Sequence, residues 1–145
     1  MRAEKDGLDF DCFRAVVGNT FDAHRLSKFA RARGVDMTGS LFDACFRDGR
    51  DLSDHAVLKS LAEEAGLGGK DTESVLNGGD YASDVRRDED EAARFGIRAV
   101  PYFGVDRTYG ISGMKSLTLF RYALKDLLRK ANIGYTSPAV ENDGE

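Results

Sequence analysis

Proline and cysteine are scarce: this 145-residue chain has two of each. The cysteines, Cys12 and Cys45, lie far apart, and no C-x-x-C occurs anywhere. That spacing excludes a local dithiol motif and gives no zinc site, because both need clustered thiols. The pair reads as two unpaired, partly buried thiols, and a disulfide between them is disfavoured in a reducing compartment. No apolar run approaches the roughly 18 residues that a membrane span needs. The opening "MRAEKDGLDFD" is charged throughout and has no apolar core of a secretory signal, so the expected compartment is the cytoplasm. A net charge of −4 gives no basic face for nucleic acid. What remains is a globular chain, 41% hydrophobic, of a length that suits one domain with a real core.

Helical periodicity dominates. After "LDFDCF", which alternates like a short strand, "GNTFDAHRLSKFARARG" predicts a helix capped by Asn19 or Thr20 and closed by Gly34, with Phe21, Leu26, Phe29 and Ala30 on one face. "DMTGSLFDACFRDG" predicts a second, with Met37, Leu41, Phe42, Cys45 and Phe46 inward, which would make Cys45 an inert core thiol. A third, in "DLSDHAVLKSLAEEAGLGG", is capped by Ser53 or Asp54 and faced by Val57, Leu58 and Leu61. "KDTESVLNGG" gives a short helix opened by Asp71, and "DYASDVRRDEDEAARFG" a fifth with a narrow face of Tyr81, Val85, Ala92 and Phe95. The pattern then turns extended: "VPYFGVD" and "TYGISG" predict a hairpin turning at Asp106-Arg107. "SLTLFRYALKDLLRKA" predicts a last helix burying Leu117, Phe120, Ala123, Leu124, Leu127 and Leu128. The acidic "SPAVENDGE" reads as a frayed tail.

Few residues invite chemistry. Pro101 stands at the start of a buried-type strand, where it cannot donate a ladder hydrogen bond; a fixed turn presenting backbone and an ordinary strand-start proline both fit. "GLGGK" is not a phosphate loop, because Glu64 and Asp71 stand where the pattern requires glycine and serine or threonine. "RRDEDE" reads as a solvated helix face. His24 and His55 are too separated to suggest a metal pair, so no metal site is expected. Arg25 falls between Phe21 and Phe29 on the apolar face, which implies a buried or half-buried ion pair, with Asp88 as the candidate carboxylate.

"GNTFDAHRL" (18 to 26), "GRDLSD" (49 to 54), "EEAGL" (63 to 67), "DEDEAARFGIRAVPYF" (88 to 103) and "YGISG" (109 to 113), in that order, resemble the DsbA-type thioredoxin-like oxidoreductases of the FrnE branch. That branch is related to hydroxychromene-carboxylate isomerases and kappa-class glutathione transferases. The resemblance implies an α/β, thioredoxin-like fold, mostly helical. Residues 1–145 would form one DsbA-like domain: a helical insertion over 19–96, a hairpin plus helix over 97–131, and a flexible tail over 133–145. The family's first β-α-β half, which carries the C-x-x-C, has no counterpart here, so the chain is expected to be truncated relative to the family and inactive by itself.

The resemblance further implies protein or peptide thiols and disulfides as substrates, met by a cis-proline loop at Val100 and Pro101. It leaves room for glutathione as a ligand near Asn19, His24 and Arg25. It assigns no catalytic residue to this chain. Val17 and His55 depart from prolines of the family pattern, Lys115-Ser116 from a proline-rich helix start, and Arg107 from a turn glycine. Two other functions stay open: a non-catalytic binding module, and a glutathione-dependent isomerase or transferase relative. An unpaired strand edge in the hairpin further suggests a homo-oligomer or a sheet rebuilt with the N-terminal "LDFDCF" segment.

Overall fold

A computed structural model describes residues 7, 14–105 and 109–130. The strand-like segment 8–13 with Cys12, the hairpin turn at Asp106-Arg107 and the tail from 131 onward lie outside the described residues. The chain divides into two compact units, Met1–Phe95 and Gly96–Glu145.

The first unit is helical. Helix α1 (Phe21–Ala32) buries Ala23, Leu26, Phe29 and Ala30, as its spacing dictates. Thr20 occupies the cap position without a side-chain bond, and Asn19 Oδ1 accepts from the Phe21 N–H at 2.9 Å instead. At the other end Gly34 adopts φ +76°, and the Gly34 and Val35 amides donate back to the Arg31 and Ala30 carbonyls. This is a Schellman closure, and it leaves Val35 packed on the core. Helix α3 (His55–Glu64) ends by the same pair of bonds, from Gly66 to Glu63 and from Leu67 to Ala62, which seals Leu67 into the core. Its cap is Asp54, whose carboxylate accepts from the Ala56 amide at 2.8 Å. Helix α4 (Gly69–Asn77) starts before the expected Asp71, with Gly68 at its cap, and buries Thr72, Val75 and Leu76. Helix α5 (Ala82–Arg94) buries only Val85. Phe95, expected on its apolar face, is exposed at the C-cap. Helix α1 packs against α3, α4 and α5, and α3 against α4, around Leu26, Phe29, Met37, Leu58, Leu61 and Val75.

The segment expected as one helix over 36–49 departs from that expectation. An α-turn, α2 (Thr38–Phe42), runs straight into a π-helical turn over Asp43–Arg47. A π-turn takes up an extra residue per turn, so every side chain after it is rotated off the α-helical stripe. Met37 and Leu41 still reach the core, but Ala44 takes the inward place, Phe42 is 57% exposed, and Cys45 and Phe46 are only half-buried. Cys45 is therefore not a fully buried core thiol.

The second unit pairs strand β1 (Tyr102–Val105) antiparallel with β2 (Tyr109–Ser112), in the register Tyr102↔Ser112, Phe103↔Ile111, Gly104↔Gly110 and Val105↔Tyr109. The Tyr102 ring crosses diagonally over Gly110, and a Cβ there would sit 2.6 Å from Tyr102 Cζ. Helix α6 (Leu117–Lys130) sets Phe120 edge-on to Phe103, ring centroids 4.8 Å apart. None of its expected apolar stripe is fully buried: Phe120, Ala123, Leu127 and Leu128 are half-buried, while Leu117 and Leu124 are exposed. Length accounts for part of this. Four-residue strands extend roughly 13 Å, whereas the 14-residue helix extends about 21 Å.

Thr72, fully buried on α4, has a hydroxyl with no hydrogen-bond partner among the described residues. Valine has the same shape without the unsatisfied group, so Thr72→Val is expected to raise the unfolding free energy by about 1 kcal/mol. Chemical denaturation measures it, and a loss of stability would reveal a partner for the hydroxyl.

Candidate functional site

Two places hold the residues singled out by sequence, one in each unit. In the first, the 3.6-residue period of α1 turns Arg25 inward with Leu26 and Phe29, and only 4% of it is exposed. A cation so placed requires acceptors on every side. Its Nε donates to the Asp80 carbonyl at 2.9 Å, and Nη2 donates to the Gly78 carbonyl at 2.7 Å and to that of Val75. Nη1 donates to Asp22 Oδ1 at 2.7 Å. The other carboxylate oxygen of Asp22 meets His55 Nε2, at the first residue of α3, at 2.8 Å. Partial burial pushes the Asp22 carboxyl up, but the hydrogen bonds and charges of His55 and Arg25 outweigh it and hold the group below its ordinary 3.8.

The expected partner Asp88 is not the one used. It lies on α5 and pairs with Lys28 at 2.6 Å, while Asp22, one turn back on the same helix, serves Arg25. His24 is exposed; its amide donates to the Thr20 carbonyl at 3.0 Å, and its side chain makes no hydrogen bond among the described residues. The side-chain carbonyl of Asn19 is taken by the Phe21 amide. No hydrogen bond joins Asn19, His24 and Arg25 to one another; the structure instead joins Arg25 to Asp22 and His55. His55 could not be found from sequence, since nothing local connects it to a residue 33 positions earlier.

In the second unit the Val100–Pro101 peptide bond is cis. Val100 is 87% exposed, directly ahead of β1, and the Pro101 carbonyl accepts from the Gly113 amide at 2.8 Å. The proline thus sits where its missing N–H costs no ladder bond and its carbonyl still closes the hairpin. Among the described residues no cluster of His, Cys, Asp and Glu could hold a metal, and Cys45 is a free thiol. Arginine and carboxylate in the first unit form a structural clamp; the exposed backbone at Val100 offers a contact surface and no reactive group.

The family model described as DSBA-like thioredoxin domain matches residues 1–125. A solved structure, a probable DsbA oxidoreductase from Streptomyces coelicolor, is 32% identical with a TM-score of 0.77, covering 97% of this chain and 61% of that one. This chain therefore spans less than two thirds of that protein. No curated protein matches. The chain belongs to the DSBA-like thioredoxin domain family, and its fold is the thioredoxin-like DsbA fold in a mostly helical form.

Two outcomes follow from the clamp. Arg25→Met keeps the aliphatic stem but leaves Asp22 and three carbonyls without their donor, and is expected to cost about 3 kcal/mol in denaturant unfolding. A change under half that size would show that water replaces the guanidinium. The folded-state pKa of Asp22 is depressed, so its stabilisation is present above the unfolded value and is lost as pH falls through the lower folded one. The stability gap between the wild type and Asp22→Asn should therefore shrink as acid is added below the ordinary 3.8. A gap that stays constant down that range contradicts the assignment.

Proposed function

We propose that this chain is the helical and hairpin portion of a DsbA-type thiol–disulfide oxidoreductase, of the FrnE-like branch, and that by itself it turns over no disulfide. The family supports the class of chemistry. The observation that carries the second half is the cysteine inventory: two thiols in 145 residues and no C-x-x-C. Dithiol exchange needs a thiolate to form a mixed disulfide and a second cysteine close by to resolve it. Cys45 lies inside a helical segment with no thiol three residues away on either side.

In this reading 19–96 is the helical insertion and 97–131 the second thioredoxin half, within one DsbA-like domain. Val100 and Pro101 meet the substrate polypeptide, an assignment that the exposure of Val100 ahead of β1 supports. Arg25 acts as a structural residue, each of its three guanidinium nitrogens already donating within the unit, and exposed His24 is the stronger candidate of the α1 residues for an outside ligand such as glutathione. The compartment is the cytoplasm.

A non-catalytic interaction module is the second reading. It is favoured by the large apolar side chains that the second unit leaves exposed, among them Phe103, Tyr109, Tyr122 and Leu124. Exposed apolar side chains of this kind also suit a homo-oligomer.

The purified chain is expected to reduce insulin disulfides no faster than a matched monothiol control, and replacing Cys12 and Cys45 together with serine should leave that rate unchanged. Robust turnover that depends on either cysteine would overturn the proposal.

A further inference from the structure

The second unit has no closed core: of its described residues, none is fully buried. On α6 the helical period places Leu117, Phe120, Leu124, Leu127 and Leu128 on one side. Phe120 meets Phe103, but Leu117 is 67% exposed, Leu124 two turns further along is exposed as well, and Met114, just ahead of the helix, is 66% exposed. Large apolar side chains gathered in one strip mark a surface that another segment covers.

Charge narrows the choice of cover. Arg121 lies one turn from Leu117, from Leu124 and from Lys125, so these cations border the exposed leucines. Lys115, Arg121 and Lys125 have no carboxylate partner among the described residues, and the only acid of α6, Asp126, is already held by Arg129 and Lys130 at 2.8 Å each. The first turn of α6 has no acidic residue to meet its dipole. Residues 96–130 hold seven lysines and arginines against two aspartates, in a chain whose net charge is −4. A second copy of this unit would set those cations against their own kind. The stretch that follows α6 does the reverse. Residues 131–145 carry Glu141, Asp143 and Glu145, no lysine or arginine, and the apolar Ile133, Tyr135 and Val140.

Length permits the return. Fifteen residues reach about 50 Å when extended, against about 21 Å for α6. Joined to the helix, the segment meets it at an effective concentration in the millimolar range, so weak surface pairs suffice.

We propose that residues 131–145 double back along α6, with Ile133, Tyr135 and Val140 over Leu124 and Leu117, and with the three carboxylates on Lys115, Arg121 and Lys125. The segment then shields the apolar strip, and a partner or a second copy docks there only by displacing it. The contact involves no thiol and stands whether or not the chain exchanges disulfides.

A nitroxide on Asn142→Cys, in the full chain with Cys12→Ser and Cys45→Ser, tests this through relaxation enhancement of the backbone amides. Doubling back broadens residues 115–125 most strongly, whereas a segment trailing off the helix end broadens 127–130 most. Neutralising the segment by Glu141→Gln, Asp143→Asn and Glu145→Gln should lower the ratio of docked to free segment roughly fivefold, the scale of three exposed charge pairs. High salt should act in the same direction. In the chain with its own cysteines and no label, that triple variant should move the amide signals of Leu117, Arg121 and Lys125, which reads the contact without the serine substitutions. Broadening greatest at 127–130, broadening seen only between a labelled chain and a separate isotope-enriched one, or amide signals that ignore the triple variant would each overturn the proposal.

Discussion

The buried guanidinium of Arg25 is the constraint around which the helical unit is arranged. A full charge inside a core is tolerated only when each donor direction ends on an acceptor. Here the acceptors are the carboxylate one turn back on α1 and three carbonyls on the far side of the core. Those carbonyls belong to the end of α4 and to the turn after it, stretches that have no helical partner for their own oxygens. One side chain thus satisfies a helix C-terminus and fixes the direction in which α5 departs. Lysine could not replace it, because a single ammonium lacks the planar spread of five donors.

From that clamp the order extends outward. Asp22 is shared between Arg25 and His55, so the start of α3 is tied to α1 through the same carboxylate. The fixed Asp80 backbone leads into the left-handed Tyr81, whose ring is pinned against Phe29. What looks in sequence like a loose "NGGDY" connector is therefore a shaped wall. The hairpin unit is built by different means: a paired-glycine rung, Gly104 opposite Gly110, gives the Tyr102 ring room to cross the ladder. Phe103 on Phe120, together with Lys130 lying 5.8 Å over the Tyr109 ring, anchors a helix whose apolar side is otherwise half-covered.

Family and chemistry divide at the cysteines. Membership in the DSBA-like thioredoxin family carries the architecture, while thiol–disulfide exchange depends on two sulfur atoms held in contact. The matched solved structure extends well beyond what this chain spans.

Sequence alone was enough for the order of helices, hairpin and final helix, for the apolar stripe of α1, and for the glycine closure at Gly34. Each depends on contacts within a few residues, where the 3.6 and 2.0 periods and the left-handed preference of glycine act directly. The resemblance placed the chain in its family. Arg25 was legible as buried, because it sits between Phe21 and Phe29, but its partners were not. Three of them lie 50 to 55 residues away and are backbone carbonyls, which carry no residue identity for a pattern to detect. The same holds for His55 on Asp22, for the π-turn that sets Ala44 inward in place of Cys45 and Phe46, and for the cavity beside Tyr81. A π-turn is selected by how its surroundings pack, and a cavity is the shape left between elements, so only the tertiary structure could decide them.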